Sequence, residues 1–288
     1  MIPRLTMPIR SVTGAAVCAA VLTVAACSGG GAPAAGSATT AASAGGAPSS
    51  GAVSPASVLS LAASRASQTT SFRASMDIVS SGSYSSHLAG TLAEQTKPVL
   101  LADQKFRVTA SGVSVPGSME TMLTSKAIYL KISSLSRMAG KPWVGIPLSS
   151  LKSSMGANFG PLIQQMQASN PLSMTRMLPA AANVRQVGSA VVGGVQTTEY
   201  TGTLDPAKAL RRLDPGLRRA AAPALAATGI RQDKFSVWVD GQHQVRKLVQ
   251  DESGPHYQVK STMVVQAINV PLHITVPPAS QIAGMPGL

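Results

Sequence analysis

The segment SFRASMDIV, residues 71–79, decides the fold class because its side chains alternate between apolar and polar. Phe72, Ala74, Met76 and Ile78 fall on one side of an extended chain, and the residues between them fall on the other. This period of two predicts a half-buried β-strand. A strand with one polar face is typical of an antiparallel sheet, in which only one face is covered.

The residues before this strand predict a helix. Ser54 is a favourable N-cap, and Pro55 suits the first helical position. Apolar residues at helical spacing follow at Val58, Leu59, Ala62, Ala63 and Ala66. We therefore expect the folded domain to begin with an amphipathic helix that ends near Ser67.

Strand signals recur along the rest of the chain. The further predicted strands cover residues 87–92, 99–108, 127–132, 143–146, 184–192, 195–204, 234–240, 244–251, 256–268 and 272–276. Gly193-Gly194 and Asp240-Gly241 predict tight hairpin turns between consecutive strands. Consecutive strands joined by short turns indicate an antiparallel meander.

Two stretches interrupt the strand pattern and predict helical inserts. Between Leu148 and Leu178, apolar residues recur at helical spacing around two prolines, Pro161 and Pro171. Since proline breaks a helix interior, we expect two or three short helices there. A second helical insert is predicted from residue 205 to residue 225.

Methionines are concentrated in the first insert, at Met155, Met166, Met174 and Met177. Methionine is unbranched and adaptable, so it suits a lid that covers ligands of variable shape. Ordinary filling of the core is the alternative interpretation. The sequence does not decide between the two.

The first 26 residues are typical of a secretory signal. Arg4 and Arg10 supply the basic start, and residues 12–26 are almost wholly apolar or small. That run is short for a membrane span, which needs about 20 apolar residues. We therefore expect residues 1–26 to be a removable signal peptide.

The residue after this run indicates a lipid anchor. Cys27 directly follows Val24, Ala25 and Ala26, and this arrangement resembles the bacterial lipobox, whose cysteine receives a diacylglyceryl group. Cys18 would leave with the signal peptide, so the mature chain would retain one cysteine and form no internal disulfide. An ordinary secretory signal with a chance cysteine is the alternative.

The next segment predicts a flexible tether. Residues 28–54 consist of Ser, Gly, Ala, Pro and Thr apart from Val53, so they have almost nothing to bury. Residues 27–54 are therefore the lipidated cysteine and tether, and residues 55–288 are one folded domain.

The chain carries a net charge of +13, which favours anionic partners such as lipid headgroups, although a solvated basic surface explains it equally well.

Motifs for catalysis are missing from the sequence. It contains no Gly-x-Ser-x-Gly, no His-Glu-x-x-His and no cysteine pair for a metal. His243 follows Asp240 across a predicted turn, and we interpret the two as an exposed turn pair. The acidic residues Asp251 and Glu252 are interpreted as a solvated loop. We expect neither an enzyme nor a bound metal or cofactor.

Four segments together resemble a known family. They are GKPWV at 140–144, VQTTEYTGT at 195–203, VWVDG with VRK at 237–241 and 245–247, and PLHITVPP at 271–278. In the order of these segments, the chain resembles the LppX/LprG-type lipoproteins of actinobacteria. Those lipoproteins are similar in fold to LolA and LolB. The resemblance implies an α+β fold, namely a curved antiparallel half-barrel whose concave face is covered by helices over an apolar cavity.

The same resemblance implies a function. It predicts a lipoprotein on the outer face of the cell membrane that binds the acyl chains of a lipid or glycolipid, for transport or presentation. The candidate lining residues are Met76, Ile78, Leu88, Leu92, Leu130, Ile132, Met155, Leu162, Met166, Met174 and Met177. An envelope protein-interaction or sensory module with the same fold is the alternative. We expect a monomer that binds no nucleic acid and has a possible envelope protein partner.

Overall fold

The computed structural model describes residues 53–82, 85–111, 117–156, 171–205, 208, 232–255 and 257–284. The predicted signal peptide, Cys27 and nearly all of the tether lie outside the described residues. So do most of the second helical insert and the candidate residues Leu162 and Met166.

The described residues form one open, curved sheet of twelve strands. The strands are β1 Ser71–Gly82, β2 Ser86–Gln95, β3 Leu101–Ala110, β4 Met119–Leu123, β5 Ala127–Ile132, β6 Trp143–Pro147, β7 Ala182–Val192, β8 Val195–Leu204, β9 Gln232–Asp240, β10 Val245–Ser253, β11 Tyr257–Ile268 and β12 Ile282–Gly284. Their order across the sheet is β12-β6-β5-β4-β3-β2-β1-β11-β10-β9-β8-β7. All neighbouring pairs are antiparallel except β12 with β6.

Within the described part of the chain, one helix precedes β1 and the other helices connect later strands. They are α1 Pro55–Gln68, α2 Ser133–Ala139, α3 Leu148–Met155, and two 3₁₀ helices, Pro171–Ala180 and Ala279–Gln281. The predicted start of α1 is confirmed, since Ser57 donates its backbone N–H to the Ser54 hydroxyl and Pro55 is the first helical residue. The 3₁₀ helix Pro171–Ala180 is called the 171–180 helix below.

The core lies between α1, the 171–180 helix and one face of the sheet, which we call the helix-covered face. Its buried residues are Val58, Leu59, Ala62, Phe72, Ala74, Leu92, Leu172, Leu178, Tyr200, Leu204, Phe235, Val237, Val239, Val245, Leu248, Met263 and Val265. This face carries the even-numbered side chains of β1, as the alternation at 71–79 predicted. The predicted α+β class, with a curved antiparallel sheet covered by helices, is confirmed.

The last part of the chain differs from the prediction. Residues 272–276 were expected to form a strand, but they are extended without a ladder partner, and the next strand is β12. Pro271, Pro277 and Pro278 surround this segment, and proline has no backbone N–H to donate to a ladder. Leu272 is nevertheless buried, and its N–H donates to Oε1 of Gln95 at 3.3 Å.

Four of the described elements were not predicted at all, namely β4, α2, the 3₁₀ helix Ala279–Gln281 and β12. Strand β4, with the sequence METML, is too short to show a clear period of two. Helix α2 ends at Gly140, whose positive φ of 67° provides the C-terminal turn.

Candidate functional site

A row of apolar residues crosses the helix-covered face from β8 to β5. The residues lie directly opposite one another in the strand registers, in the order Tyr200, Val237, Leu248, Met263, Met76, Gly90, Phe106, Met119 and Ile132. Adjacent strands lie about 4.8 Å apart, so the row extends over roughly 38 Å. We call it the apolar row.

The two halves of the apolar row differ in exposure. The four residues on β8–β11 are 7% exposed or less, because α1 and the 171–180 helix pack over this part of the sheet. The five residues on β1–β5 are half-buried. These five strands cover about 19 Å. One leaflet of a bilayer's hydrocarbon core is about 15 Å thick, so an acyl tail matches the half-buried length.

Gly90 allows an aromatic ring to lie within this row. A Cβ atom at Gly90 would collide first with the backbone carbonyl oxygen of Lys105, and it would lie 2.7 Å from Cδ1 and 2.8 Å from Cα of Phe106. Only a residue without a side chain therefore permits this close approach of Lys105 and Phe106 on the neighbouring strand.

The predicted lining residues are divided between the two halves of the face. Leu92 is buried in the core, and Met76 and Met177 pack against that core. Ile78 and Leu88 lie directly opposite each other, and both are half-buried, as are Leu130 and Ile132 on β5. Met155 is the last residue of α3, and Met174 lies within the 171–180 helix.

Sequence reasoning missed three of the five residues at the half-buried end of the apolar row, Gly90, Phe106 and Met119. Phe106 belongs to a strand that was predicted, but its segment 99–108 does not alternate clearly enough to identify the covered face. Met119 belongs to β4, which was not predicted. The signal that could have located them is the pairing register, because it places all three opposite Met76 or its partners.

The space beneath α1 is nearly filled. A cavity of about 10 Å³ lies there, lined by residues that include Arg65, Thr69 and Leu172. That volume admits one water molecule at most. The described residues of α1 thus pack closely on the sheet around this cavity, whereas the half-buried end of the apolar row is a more accessible apolar surface on the same face.

A larger hollow lies away from the apolar row. It measures about 410 Å³ and is lined by Leu101, Thr124, Ser125, Lys126, Tyr129, Leu272, His273, Ile274 and Val276. Tyr129 lies opposite Gly145 and Met122 in the strand registers, which places it on the other face of the sheet from Ile128 and Leu130. The volume falls within the range of small-molecule pockets, so this hollow is a second place at which a ligand would fit.

A buried carboxyl group interrupts the helix-covered face. Glu94 is 5% exposed and lies directly opposite Phe72 on β1 and Ala102 on β3. Its Oε1 has no hydrogen-bond partner in the described structure. Burial raises the pKa of Glu94 to about 8, so the group is mainly protonated and uncharged at pH 7.

An acidic pair, Asp233 and Glu252, lies on the same face, near the start of β9 and the end of β10. Asp233 lies opposite Glu252, and Nε2 of Gln250 donates to Oδ2 of Asp233 at 3.0 Å. Burial, assisted by the charge of Glu252, raises the pKa of Asp233 to about 7, and burial also raises the pKa of Glu252. The prediction that Asp251 and Glu252 lie in a solvated loop is wrong, because both residues belong to strand β10.

The prediction that His243 and Asp240 form an exposed turn pair is also wrong. Asp240 is buried, and its carboxylate accepts hydrogen bonds from the backbone N–H groups of Gln242 and Gln244 and from Nε of Arg246. Its side chain therefore holds the turn together.

Among the described residues, no three His, Cys, Asp or Glu side chains are grouped as metal ligands would be. None of the described helices is long and apolar enough to cross a membrane.

An open, curved antiparallel sheet with helices packed on one apolar face is the α+β arrangement that the sequence resemblance implied. Among curated proteins, the chain is 29% identical over 99 residues to the putative phthiocerol dimycocerosate transporter LppX of Mycobacterium tuberculosis. It is 32% identical over 104 residues to an uncharacterised 31.2 kDa protein of Streptomyces griseus. The predicted resemblance to LppX/LprG-type lipoproteins is thus confirmed.

These matches are partial. The matched segments span about a third of this chain, and the chain spans about a third of the length of each curated relative. Two solved structures align over 77% of the chain, LppX of M. tuberculosis and LprF of Mycobacterium bovis. The first has a TM-score of 0.43 at 16% identity over 98% of its length, and the second has a TM-score of 0.48 at 14% identity over 96%. No family model matches the chain.

Proposed function

We propose that this chain is a membrane-anchored lipoprotein that binds the acyl chains of a lipid or glycolipid, for transport or presentation across the cell envelope. The observation that carries the proposal is the half-buried end of the apolar row, at Met76, Gly90, Phe106, Met119 and Ile132. No covalent chemistry is needed for this function.

The energetics favour an apolar surface of this length. Each methylene removed from water contributes about 0.8 kcal/mol, so burying ten of them contributes about 8 kcal/mol. A bilayer provides a similar gain, and transfer between the bilayer and the protein is therefore close to balanced. Balanced transfer allows both uptake and release, whereas free movement through water is strongly disfavoured.

The N-terminal segment would hold the domain at the membrane. Cleavage after Val24, Ala25 and Ala26 would leave Cys27 at the N-terminus, and a diacylglyceryl group with an added acyl chain would give stable anchoring. The predicted tether 28–54, if it is a flexible coil as its composition predicts, would have an average end-to-end distance of roughly 29 Å. The domain would then remain on the outer face of the membrane while it reaches lipids in that leaflet.

The test is lipid analysis of the full chain purified from its own envelope. Solvent extraction and mass spectrometry are expected to recover an acyl lipid from the wild type and several-fold less from Ile132→Glu. Ile274→Glu, in the hollow on the other face, is the matched control and is expected to retain the lipid. Loss of lipid in the control alone would move the binding site to that hollow, and repeated absence of lipid from the wild type would refute lipid binding.

A protein-interaction module is the second candidate, and the filled space beneath α1 favours it. A carrier that encloses its ligand needs a larger volume than about 10 Å³ there. If the wild type carries no lipid but crosslinks in the envelope to one reproducible protein, the second candidate replaces the first. Crosslinking also tests the expectation of a monomer.

A further inference from the structure

Three polar side chains lie close together on the helix-covered face, beside the apolar row. Gln104 on β3 lies directly opposite Thr121 on β4. Glu94 lies opposite Ala102, so it is the diagonal neighbour of Gln104. Diagonal neighbours lie about 7–8 Å apart at Cα, within reach of long side chains. The register therefore forms one polar group of three residues on adjacent strands.

The surroundings of this group are apolar. Phe72, Ala102 and Leu123 belong to the strand positions around Glu94, and each is at most 8% exposed. Glu94 itself is 95% buried with an unpartnered Oε1, and no side-chain hydrogen bond joins Gln104 or Thr121 to another described residue. A buried polar group without a partner destabilises the fold, so its presence points to a partner that arrives with a ligand.

The group lies beside the apolar row at a fixed distance. Gln104 is two residues from Phe106, and Thr121 is two residues from Met119. Two residues along a strand correspond to about 6.6 Å. A ligand whose acyl chain lies along the row would therefore place its polar end next to Gln104 and Thr121, with Glu94 one diagonal position further along the same face.

The chemistry of the three side chains selects the kind of polar end. A protonated carboxyl group donates one hydrogen bond, the amide of Gln104 donates two, and all three side chains accept. None of the three carries a positive charge to balance a phosphate or a carboxylate. The set suits an uncharged oxygen group, such as an ester carbonyl with a neighbouring hydroxyl.

We propose that Glu94, Gln104 and Thr121 bind the uncharged ester end of a neutral acyl lipid, such as an acylglycerol, whose chain lies on the apolar row. This assignment rests on the proposed function and makes its ligand class specific. It distinguishes an acyl ester from a bare hydrocarbon and from a lipid with an anionic headgroup.

The experiment uses the full, anchored chain in phosphatidylcholine vesicles. Two photoreactive probes of equal chain length are supplied separately, a diazirine-bearing monoacylglycerol and a diazirine-bearing alkane. The measured quantity is the ratio of protein labelled by the ester to protein labelled by the alkane. The variants are Glu94→Leu, Gln104→Leu and Glu94→Gln, and the control is Thr91→Leu, on the opposite face of the same strand β2.

The wild type is expected to favour the ester at least tenfold, and Thr91→Leu is expected to keep that ratio. Glu94→Leu and Gln104→Leu should each lower it at least fivefold, whereas Glu94→Gln, which still donates a hydrogen bond, should lower it less than Glu94→Leu. An unchanged ratio in folded Glu94→Leu and Gln104→Leu would overturn the polar site while leaving lipid binding intact. Failure of both probes to label the wild type would overturn the proposed function as well.

Discussion

Glu94 lies directly opposite Phe72 in the register of β1 and β2, so a carboxyl group shares the covered face of the sheet with a phenyl ring that is 1% exposed. A carboxylate in such a place would be strongly destabilised by the loss of water. The group responds by retaining its proton, which is why its pKa rises to about 8.

This protonation couples the stability of the fold to pH. The folded state keeps the Glu94 proton up to about pH 8, whereas the unfolded chain releases it near pH 4.5. The contribution of Glu94 to the free energy of unfolding is therefore fully present below pH 4.5. It decreases as the pH rises to about 8, by up to about 1.4 kcal/mol per pH unit.

The check is urea unfolding of the wild type and Glu94→Gln between pH 5 and pH 8. Glutamine does not titrate, so the free energy of unfolding should fall less steeply with pH in Glu94→Gln than in the wild type. The difference between the two slopes should correspond to the release of about one proton on unfolding. The raised pKa of Asp233 acts in the same direction up to about pH 7, but it is common to both proteins and cancels in the difference. Parallel curves for the two proteins would show that Glu94 is ionised in the folded state.

Gly90 is predicted to tolerate no side chain. In Gly90→Ala, the new Cβ would be forced against the backbone carbonyl oxygen of Lys105 and against the ring and Cα of Phe106. Overpacking of this kind destabilises by about 1–3 kcal/mol, and we expect urea unfolding to show a loss at or above that range. Gly188→Ala on β7 is the control, because a Cβ there meets nothing within 4 Å. Equal losses in both variants would indicate that intrinsic strand preference, and not the contacts with Lys105 and Phe106, determines the effect.

The sequence predicted the elements whose side chains are patterned locally. Helix α1 followed from Ser54 and Pro55, and β1 followed from the alternation at 71–79. Strand β4 was missed, because five residues carry too short a pattern. The expected strand at 272–276 was wrong, because the residues fit a strand while the flanking prolines prevent its pairing.

The candidate site was less predictable than the fold for a related reason. Glu94 follows the predicted end of its strand at residue 92, and nothing near it in the sequence shows that it faces Phe72. That contact depends on how β1 pairs with β2, which is a long-range property. The apolar row likewise joins residues of nine strands, and no local pattern reveals their common alignment.

The ion pair between Asp240 and Arg246 is predicted to be important for stability. Nε of Arg246 lies 2.7 Å from Oδ2 of Asp240, and their side chains are 17% and 4% exposed. Arg246→Met would leave the buried carboxylate without its cation, which destabilises by about 3–5 kcal/mol. His87→Gln is the control: His87 contacts Asp77 at the same 2.7 Å distance, but both side chains are about half exposed. Exposed pairs contribute at most about 1 kcal/mol, so thermal unfolding of the control should change little.

The anchor is tested by the two cysteines of the chain, Cys18 and Cys27. Cys27→Ser removes the thiol that would be alkylated, so we expect the protein to lose label from an alkyne-bearing palmitate analogue fed to the cells. Cys18→Ser lies within the predicted signal peptide and should leave the mature protein labelled, because cleavage after Ala26 discards residue 18. Intact mass spectrometry would show the mature N-terminus at residue 27 in this control. A labelled Cys27→Ser protein would place the acyl group elsewhere, and a mature wild-type protein that retains residue 18 would refute the predicted cleavage site.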